Sequence, residues 1–113
     1  MSERVEVVDD KKKRLISALG LCAKAGKLVF GVPMICEALR KGGKNAPLLV
    51  LEVADTSENT HKKISDKCKY YNTRLVRLGC TGNELGAALG KTSCLAAVAI
   101  TDKNFCLLAE KYV

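Results

Sequence analysis

The sequence lacks the long apolar runs of a membrane-spanning protein and the paired cysteines of a disulfide or zinc scaffold. Hydrophobic residues make up 48% of the 113 residues, yet their longest runs are far shorter than a membrane span. The six cysteines are spread along the chain without a C-x-x-C pair. We therefore expect no membrane partner, and we expect reduced cysteines that mostly pack as small apolar residues.

Groups suited to catalysis are also scarce. The one histidine, His61, stands among Thr60, Lys62 and Lys63, which is typical of a solvated helix face. No G-x-S-x-G turn occurs, and the acidic residues do not cluster beside turns as a metal site or an acid–base pair would require. The sequence therefore predicts a protein that is not an enzyme and binds no cofactor or metal. An enzyme that uses cysteine and His61 is the least favoured alternative.

Targeting signals are missing from the first fourteen residues, MSERVEVVDDKKKR. This stretch has early acidic residues and no apolar segment followed by small residues, so neither a secretory signal nor a transit peptide is expected. We expect a cytoplasmic protein. The length fits one domain over residues 1–113, with residues 1–9 expected to be disordered.

Positive charge is what the sequence has in excess. Nineteen Lys and Arg against twelve Asp and Glu give a formal net charge of +7. Such a field favours polyanions, and nucleic acid ranks ahead of anionic membranes because no strongly basic amphipathic helix is present. Lysine-rich faces that only keep the protein soluble explain the charge equally well, so charge alone does not identify a partner.

Helices and strands alternate along the chain. Strands are predicted at residues 28–30, 47–54, 73–79 and 94–101. A first helix is predicted from Asp9 or Asp10 to Gly26, and a second over residues 31–43. Later helices begin at Asp55 or Ser57, at Thr81 with Glu84 in a capping box, and at Asp102. Four strands and five helices predict a three-layer α/β/α sandwich around a mixed, mostly parallel four-stranded sheet.

The order of several short motifs resembles a known family. GKLVFG, an A-L-R-K-G helix end, LLVLEVADTSENTHKK, NELGAALGK and AAVAITD follow one another from about Leu15 to the last helix. The most specific pieces are ADTSENTHKK, the DKCKYYN stretch after it, and ELGAALGK. The chain resembles the ribosomal and ribosome-associated L7Ae/L30e proteins that bind kink-turn RNA, specifically the short bacterial members. The resemblance implies the same sandwich, no catalysis, and recognition of a sharply bent RNA by one edge of the fold.

The resemblance also implies two RNA-binding segments. The first, around the start of the second helix, comprises Gly26, Lys27, Gly31, Val32, Pro33, Met34 and Glu37. The second, the loop before the last strand, comprises Gly90, Lys91, Thr92 and Ser93. Helix starts carry unpaired N–H groups and a positive dipole end, which suit phosphate oxygens and base acceptors. Further phosphate attraction is expected from Arg40, Lys41 and Lys44.

The helix start departs from the pattern of the best-characterised members, which is Gly-Thr-Asn-Glu-x-x-Lys. Pro33 and Met34 replace the polar pair that reads paired guanines, and Glu37 replaces a phosphate-binding lysine. Each lost base contact costs ~1–3 kcal/mol by analogy with groove readout. A second hypothesis for Glu37 is that its carboxylate accepts hydrogen bonds from a guanine edge.

Two functions of the same edge therefore stay open. The first is a monomeric, non-catalytic RNA-binding protein with altered or weakened specificity, for kink-turn or other structured RNA. Ribosomal RNA and the ribosome are then candidate partners. The second is a protein-interaction or general RNA-binding module that has lost kink-turn recognition.

Overall fold

The structure, a computed structural model, describes the backbone of residues 2–112 and the side chains of residues 11–112. Within these ranges helices and strands alternate as predicted. The elements are α1 (Ser2–Lys24), β1 (Leu28–Phe30), α2 (Val32–Lys41), a 3-10 turn (Gly43–Asn45), β2 (Leu49–Glu52), α3 (Glu58–Tyr70), β3 (Arg74–Arg77), α4 (Gly82–Ala88), β4 (Ala97–Ile100) and α5 (Lys103–Glu110). Each of the four strands lies inside the stretch predicted for it.

The four strands form one mixed sheet in the order β1-β4-β2-β3. The predicted sheet is confirmed, but its description as mostly parallel is wrong. Only β2 and β3 are parallel, while β4 runs antiparallel to both of its neighbours. The reason lies in the loop after α4, which returns to the start of that helix, where the Leu95 N–H donates to the Gly82 carbonyl oxygen at 3.2 Å. Strand β4 therefore begins where β3 ends and runs back.

Helices cover both faces of the sheet, which confirms the three-layer sandwich. On one face α1, α4 and α5 share a core with alternate strand residues, and on the other face α2 and α3 share a second core. In β2 the side chains of Leu49 and Leu51 enter the first core, and Val50 enters the second. Among the described residues, no helix has both the length and the apolar character needed to span a membrane.

Three predicted helix caps are confirmed. Ser57 accepts a hydrogen bond from the Thr60 N–H, Thr81 forms a capping box with Glu84, and Asp102 accepts from two N–H groups of α5. The predicted start of α1 is wrong because α1 begins at Ser2, which places Asp9 and Asp10 inside the helix. No glycine or proline interrupts the chain between Ser2 and that point. The side chains of residues 1–9 lie outside those that the structure describes, and the expected disorder of this segment stays a prediction.

Candidate nucleic-acid interface

The starts of α2, α3 and α4 lie at one end of the sheet, where β1, β2 and β3 finish. Gly31 connects β1 to α2 with a φ of 85°, a left-handed conformation that glycine adopts without strain. Its N–H donates to the carbonyl oxygen of Ala97 at 2.9 Å and so ties the start of α2 to the start of β4. The Lys91 ammonium nitrogen lies 4.1 Å from the centre of the Phe30 ring. We call the surface of residues 31–37 and 90–93 the helix-start edge.

The first turn of α2 has a buried side and an exposed side. Val32 and Ile35 are buried in the core that α2 shares with α3, so the Val32 side chain faces away from any surface ligand. Pro33 is exposed, and the Met34 side chain keeps 60% of its surface exposed. No side chain caps the helix, and Pro33 has no N–H. The exposed side of this turn is therefore apolar.

Glu37 is engaged by Arg40 within the same helix. Two of the three guanidinium nitrogens of Arg40 donate to the carboxylate of Glu37. Nη2 lies 2.5 Å from Oε1, and Nε lies 3.2 Å from Oε2. This pairing holds the pKa of Glu37 below its ordinary value. The carboxylate therefore stays ionised at neutral pH, and Arg40 balances its charge locally.

Several predicted RNA-binding residues do not lie at the helix-start edge. Arg40 and Lys41 lie in the last turn of α2, roughly 13 Å along the helix axis from Gly31. Gly26 and Lys27 lie at the opposite end of β1, where the Lys27 carbonyl oxygen accepts a hydrogen bond from the Thr101 N–H at 3.0 Å. The structure brings together the second segment and residues 31–37, and it separates Gly26, Lys27, Arg40 and Lys41 from them.

Two glycines of α4 hold the second segment in place. The Lys91 N–H donates to the Gly86 carbonyl oxygen at 2.8 Å. A Cβ atom on Gly86 would lie 2.4 Å from the Ser93 carbonyl oxygen, and one on Gly82 would lie 2.2 Å from the Cys94 sulfur. The loop therefore lies directly on α4, and the side chains of Lys91, Thr92 and Ser93 are exposed. This role was not predicted from the sequence, although the four-residue spacing of the two glycines on one helix face could have indicated it.

A buried carboxylate anchors the start of α3. Glu52, the last residue of β2, is fully buried, and both of its carboxylate oxygens lie 2.8 Å from Nδ1 of His61. A buried carboxylate without a partner is costly, so this contact fixes α3 against the sheet. The expectation of a solvated His61 is thus wrong in part, since one ring nitrogen is engaged. The sequence feature that could have indicated a buried partner for His61 is Glu52, a charged residue inside an apolar strand.

A groove of about 340 Å³ adjoins the helix-start edge between α2, α3 and the loop before β4. It is lined by Gly31, Val32, Pro33, Thr60, Lys63, Cys94, Leu95 and Ala96. Lys63 is exposed and lines this groove, so it adds a cation next to the helix-start edge. No three His, Cys, Asp or Glu side chains among those described gather in a way that could hold a metal ion.

The buried cysteines are poorly suited to nucleophilic chemistry. Cys22, Cys68 and Cys80 are buried, which agrees with the expectation that most cysteines pack as small apolar residues, whereas Cys94 is exposed. Burial raises the pKa of the Cys22 and Cys68 thiols to about 11. Thiols with a raised pKa form little thiolate at neutral pH, so they are poor nucleophiles.

The sandwich and its edge define a small α/β protein that presents helix starts and a glycine-anchored loop on one surface. The chain belongs to the ribosomal protein L7Ae/L30e/S12e/Gadd45 family, whose sequence model matches residues 13–109. It is 36% identical over 87 residues to the RNA-binding protein YlxQ of Bacillus subtilis, covering 77% of this chain and 82% of that protein. It is 32% identical over 63 residues to YlxQ of Enterococcus faecium, covering 56% and 58%. The resemblance found in the sequence is confirmed, and none of these descriptions is that of an enzyme, in agreement with the prediction.

Two solved structures have the same fold. A Bacillus halodurans protein described as of unknown function superimposes with a TM-score of 0.76 at 28% identity, covering 88% of this chain and 95% of that one. The Giardia lamblia 15.5kD RNA binding protein superimposes with a TM-score of 0.70, covering 91% and 84%. Its identity of 15% supports the fold alone.

Proposed function

We propose that this protein binds structured RNA of the kink-turn type through the helix-start edge, with specificity altered or weakened relative to the family pattern. The observation that carries the proposal is the contact of Lys91 with Phe30. Phe30 directly precedes Gly31, so this contact supports a surface shared by the loop of residues 90–93 and the start of α2. The family membership and the description of the Bacillus subtilis relative as an RNA-binding protein support the same conclusion.

The edge supplies the two kinds of contact that an irregular RNA needs. Lys91 and Lys63 offer charge to phosphates, and the exposed hydroxyls of Thr92 and Ser93 offer hydrogen-bond donors. Backbone hydrogen bonds hold Gly31 to Ala97 and Lys91 to Gly86, and a surface fixed in this way suits recognition by shape. The exposed thioether of Met34 packs against a base that the bend leaves unstacked.

The altered specificity follows from the lack of polar side chains on the exposed face of the first turn of α2. Pro33 and Met34 present no polar side-chain atoms that donate to guanine edges. Glu37 is hydrogen-bonded to Arg40 of the same helix, so both groups are already engaged before RNA binds. We therefore infer fewer direct base contacts and a larger share of the affinity from phosphates.

We further propose that the protein acts as a monomer in the cytoplasm, with ribosomal RNA as a candidate target. The net charge of +7 supports association with a large polyanion.

The test is a titration of the protein with a kink-turn RNA and with an unbent RNA of the same composition, repeated over a range of salt concentrations. The proposal expects tighter binding of the kink-turn RNA at every salt concentration, together with a measurable salt slope. Equal affinity with a steep slope would show general RNA binding instead. Absence of binding to both RNAs would sink the proposal.

A second function, a protein-interaction or general RNA-binding module, is favoured by one specific observation. The exposed face of the first α2 turn is apolar where the family pattern is polar, with Met34 60% exposed. Apolar side chains at such a position suit packing on any unpaired base or on a protein surface. The same titration distinguishes this function from the first.

A further inference from the structure

The opposite end of the sheet carries the most exposed aromatic residue of the described chain. Tyr70, the last residue of α3, is 80% exposed. Its ring centre lies 4.8 Å from that of Tyr71, at an interplanar angle of 81°. Tyr71 is half-buried against the core of α2 and α3, so it supports Tyr70 from one side. The sequence has only three tyrosines, two phenylalanines and no tryptophan, so the placement of an aromatic ring in solvent is unusual for this chain.

Basic residues are frequent in the chain segments that meet at this pair of rings. Helices α2 and α3 both end here, and no Asp or Glu occurs in residues 38–51 or 67–83. These stretches contribute seven basic residues: Arg40, Lys41, Lys44, Lys67, Lys69, Arg74 and Arg77. Arg40 is paired with Glu37 and Arg74 with Glu110. Cations in the last turn of a helix stabilise its negative dipole end, which accounts for those on α2 and α3. That explanation covers neither Lys44, which lies in the 3-10 turn, nor the exposure of Tyr70.

A groove of about 340 Å³ runs between the two helix ends. Its walls include Leu39, Gly42, Leu48, Tyr71 and Asn72. Leu48 is 44% exposed, so the groove has an apolar wall, and none of the residues that line it is charged. We call the surface of residues 40–48 and 67–73 the helix-end edge.

We propose that the helix-end edge binds a single-stranded segment of RNA, with a base stacked on Tyr70 and the phosphates held by Lys44, Lys67 and Lys69. An exposed aromatic ring with cations in the neighbouring turns is a combination by which proteins bind single strands, because every base has a face that stacks. A duplex offers no free base face to Tyr70. The inference rests on the proposed function, to which it adds a second RNA contact at the far end of the fold.

The test uses an eight-nucleotide, single-stranded RNA of mixed sequence with a fluorescent label, and reads binding by anisotropy. Because the chain has no tryptophan, quenching of tyrosine emission reports stacking in the same titration. Tyr70→Ala is expected to weaken binding at least about fivefold, and Tyr70→Phe to retain it. Lys69→Ala is expected to lower the salt slope by about 1. The matched control is Leu107→Ala, which removes another large exposed side chain, on α5.

Equal binding of the octamer by the wild type and Tyr70→Ala, or no binding by the wild type, would overturn the inference. Displacement of the octamer by an equal charge concentration of poly-glutamate would overturn it as well, since the surface would then select charge alone. A kink-turn RNA without single-stranded ends is titrated in parallel. Failure of the proposed function shows there as lost preference over the unbent RNA, whereas failure of this inference leaves that preference intact.

Discussion

The helix-start edge and the helix-end edge share helix α2, yet they offer different chemistry. At the helix-start edge the backbone dominates, with a left-handed glycine at residue 31, a proline in the first turn and a loop anchored on α4. At the helix-end edge side chains dominate, with basic residues around an exposed tyrosine ring. A rigid backbone surface suits recognition of shape, and flexible cations beside a ring suit an unpaired strand.

The comparison teaches that a net charge of +7 does not by itself locate the RNA contacts. Arg40 adds charge but is held by Glu37, and Lys91 stands over the Phe30 ring. The neighbours of each cation, such as a carboxylate or an aromatic ring, distinguish the two edges. The two surfaces are therefore expected to respond separately to substitution.

The largest effect is expected from Gly86→Ala. The added Cβ atom would lie 2.4 Å from the Ser93 carbonyl oxygen, so either the loop or α4 must move. We expect the free energy of unfolding to fall by about 1–3 kcal/mol, measured by urea denaturation. Kink-turn affinity should fall with it, while octamer binding at the helix-end edge is retained.

Gly20→Ala is the matched control for that variant. Gly20 lies within α1, and a Cβ atom there would meet nothing within 4 Å. Alanine in a helix interior is favoured over glycine by roughly 0.5–1 kcal/mol, so this variant should gain stability. A Gly86→Ala protein that matches the wild type in stability and kink-turn affinity would contradict the role given to α4.

The next effect is that of Lys91→Ala on RNA binding. Removal of this cation from the helix-start edge should weaken binding of kink-turn RNA about fivefold and lower the salt slope by about 1. Lys103→Ala, which removes an exposed lysine from the start of α5, serves as the control. If both variants lose the same affinity, the effect of Lys91 is that of net charge and not of its position.

A smaller gain is expected from Glu37→Lys. The substitution restores a cation where the family pattern has a lysine and removes the carboxylate that holds Arg40. Affinity for kink-turn RNA should rise about threefold, with a salt slope steeper by about 1. Asp66→Lys makes the same charge change at an exposed position on α3. A loss of affinity in Glu37→Lys would instead favour Glu37 as an acceptor of guanine hydrogen bonds.

The smallest effect is a difference in the rates at which the thiols are alkylated. It is measured on the unaltered protein, without a change in stability or RNA affinity. Cys94 is exposed and lines the groove beside the helix-start edge, whereas Cys22 is buried with a pKa raised to about 11. Iodoacetamide at pH 8 should modify Cys94 well before Cys22, as followed by mass spectrometry. Kink-turn RNA should slow the reaction of Cys94. Unchanged reactivity in the presence of saturating kink-turn RNA would argue against occupancy of this edge.

Much of the fold could be predicted because its signals are local. The capping side chains of Ser57, Thr81 and Asp102 act on N–H groups two or three residues away, so the pattern alone places three helix starts. The apolar runs place the strands for a similar reason, since a central strand needs apolar side chains on both faces. No local pattern indicates the direction of β4, because an apolar run is equally compatible with parallel and antiparallel pairing.

The candidate site was predicted only in part, because it depends on contacts between distant parts of the chain. Val32 matches the family position for RNA contact, but its side chain packs in the core. Lys27 precedes the same strand that Gly31 follows, and the length of that strand separates them by roughly 10 Å. Glu52 could have been singled out as a buried charge, whereas its partner His61 required the packing of α3 on the sheet.

The family, the layers of the fold, the strand positions and the local turns could be derived from the sequence, since they depend on short motifs, periodicity, capping and glycine. The groups that share a surface are known only from the packed fold. There Lys91 lies over the Phe30 ring, His61 meets the buried Glu52, and Tyr70 stays exposed beside Tyr71. The physical reason is that a surface is assembled by strand order and helix packing, which bring together residues far apart in the chain.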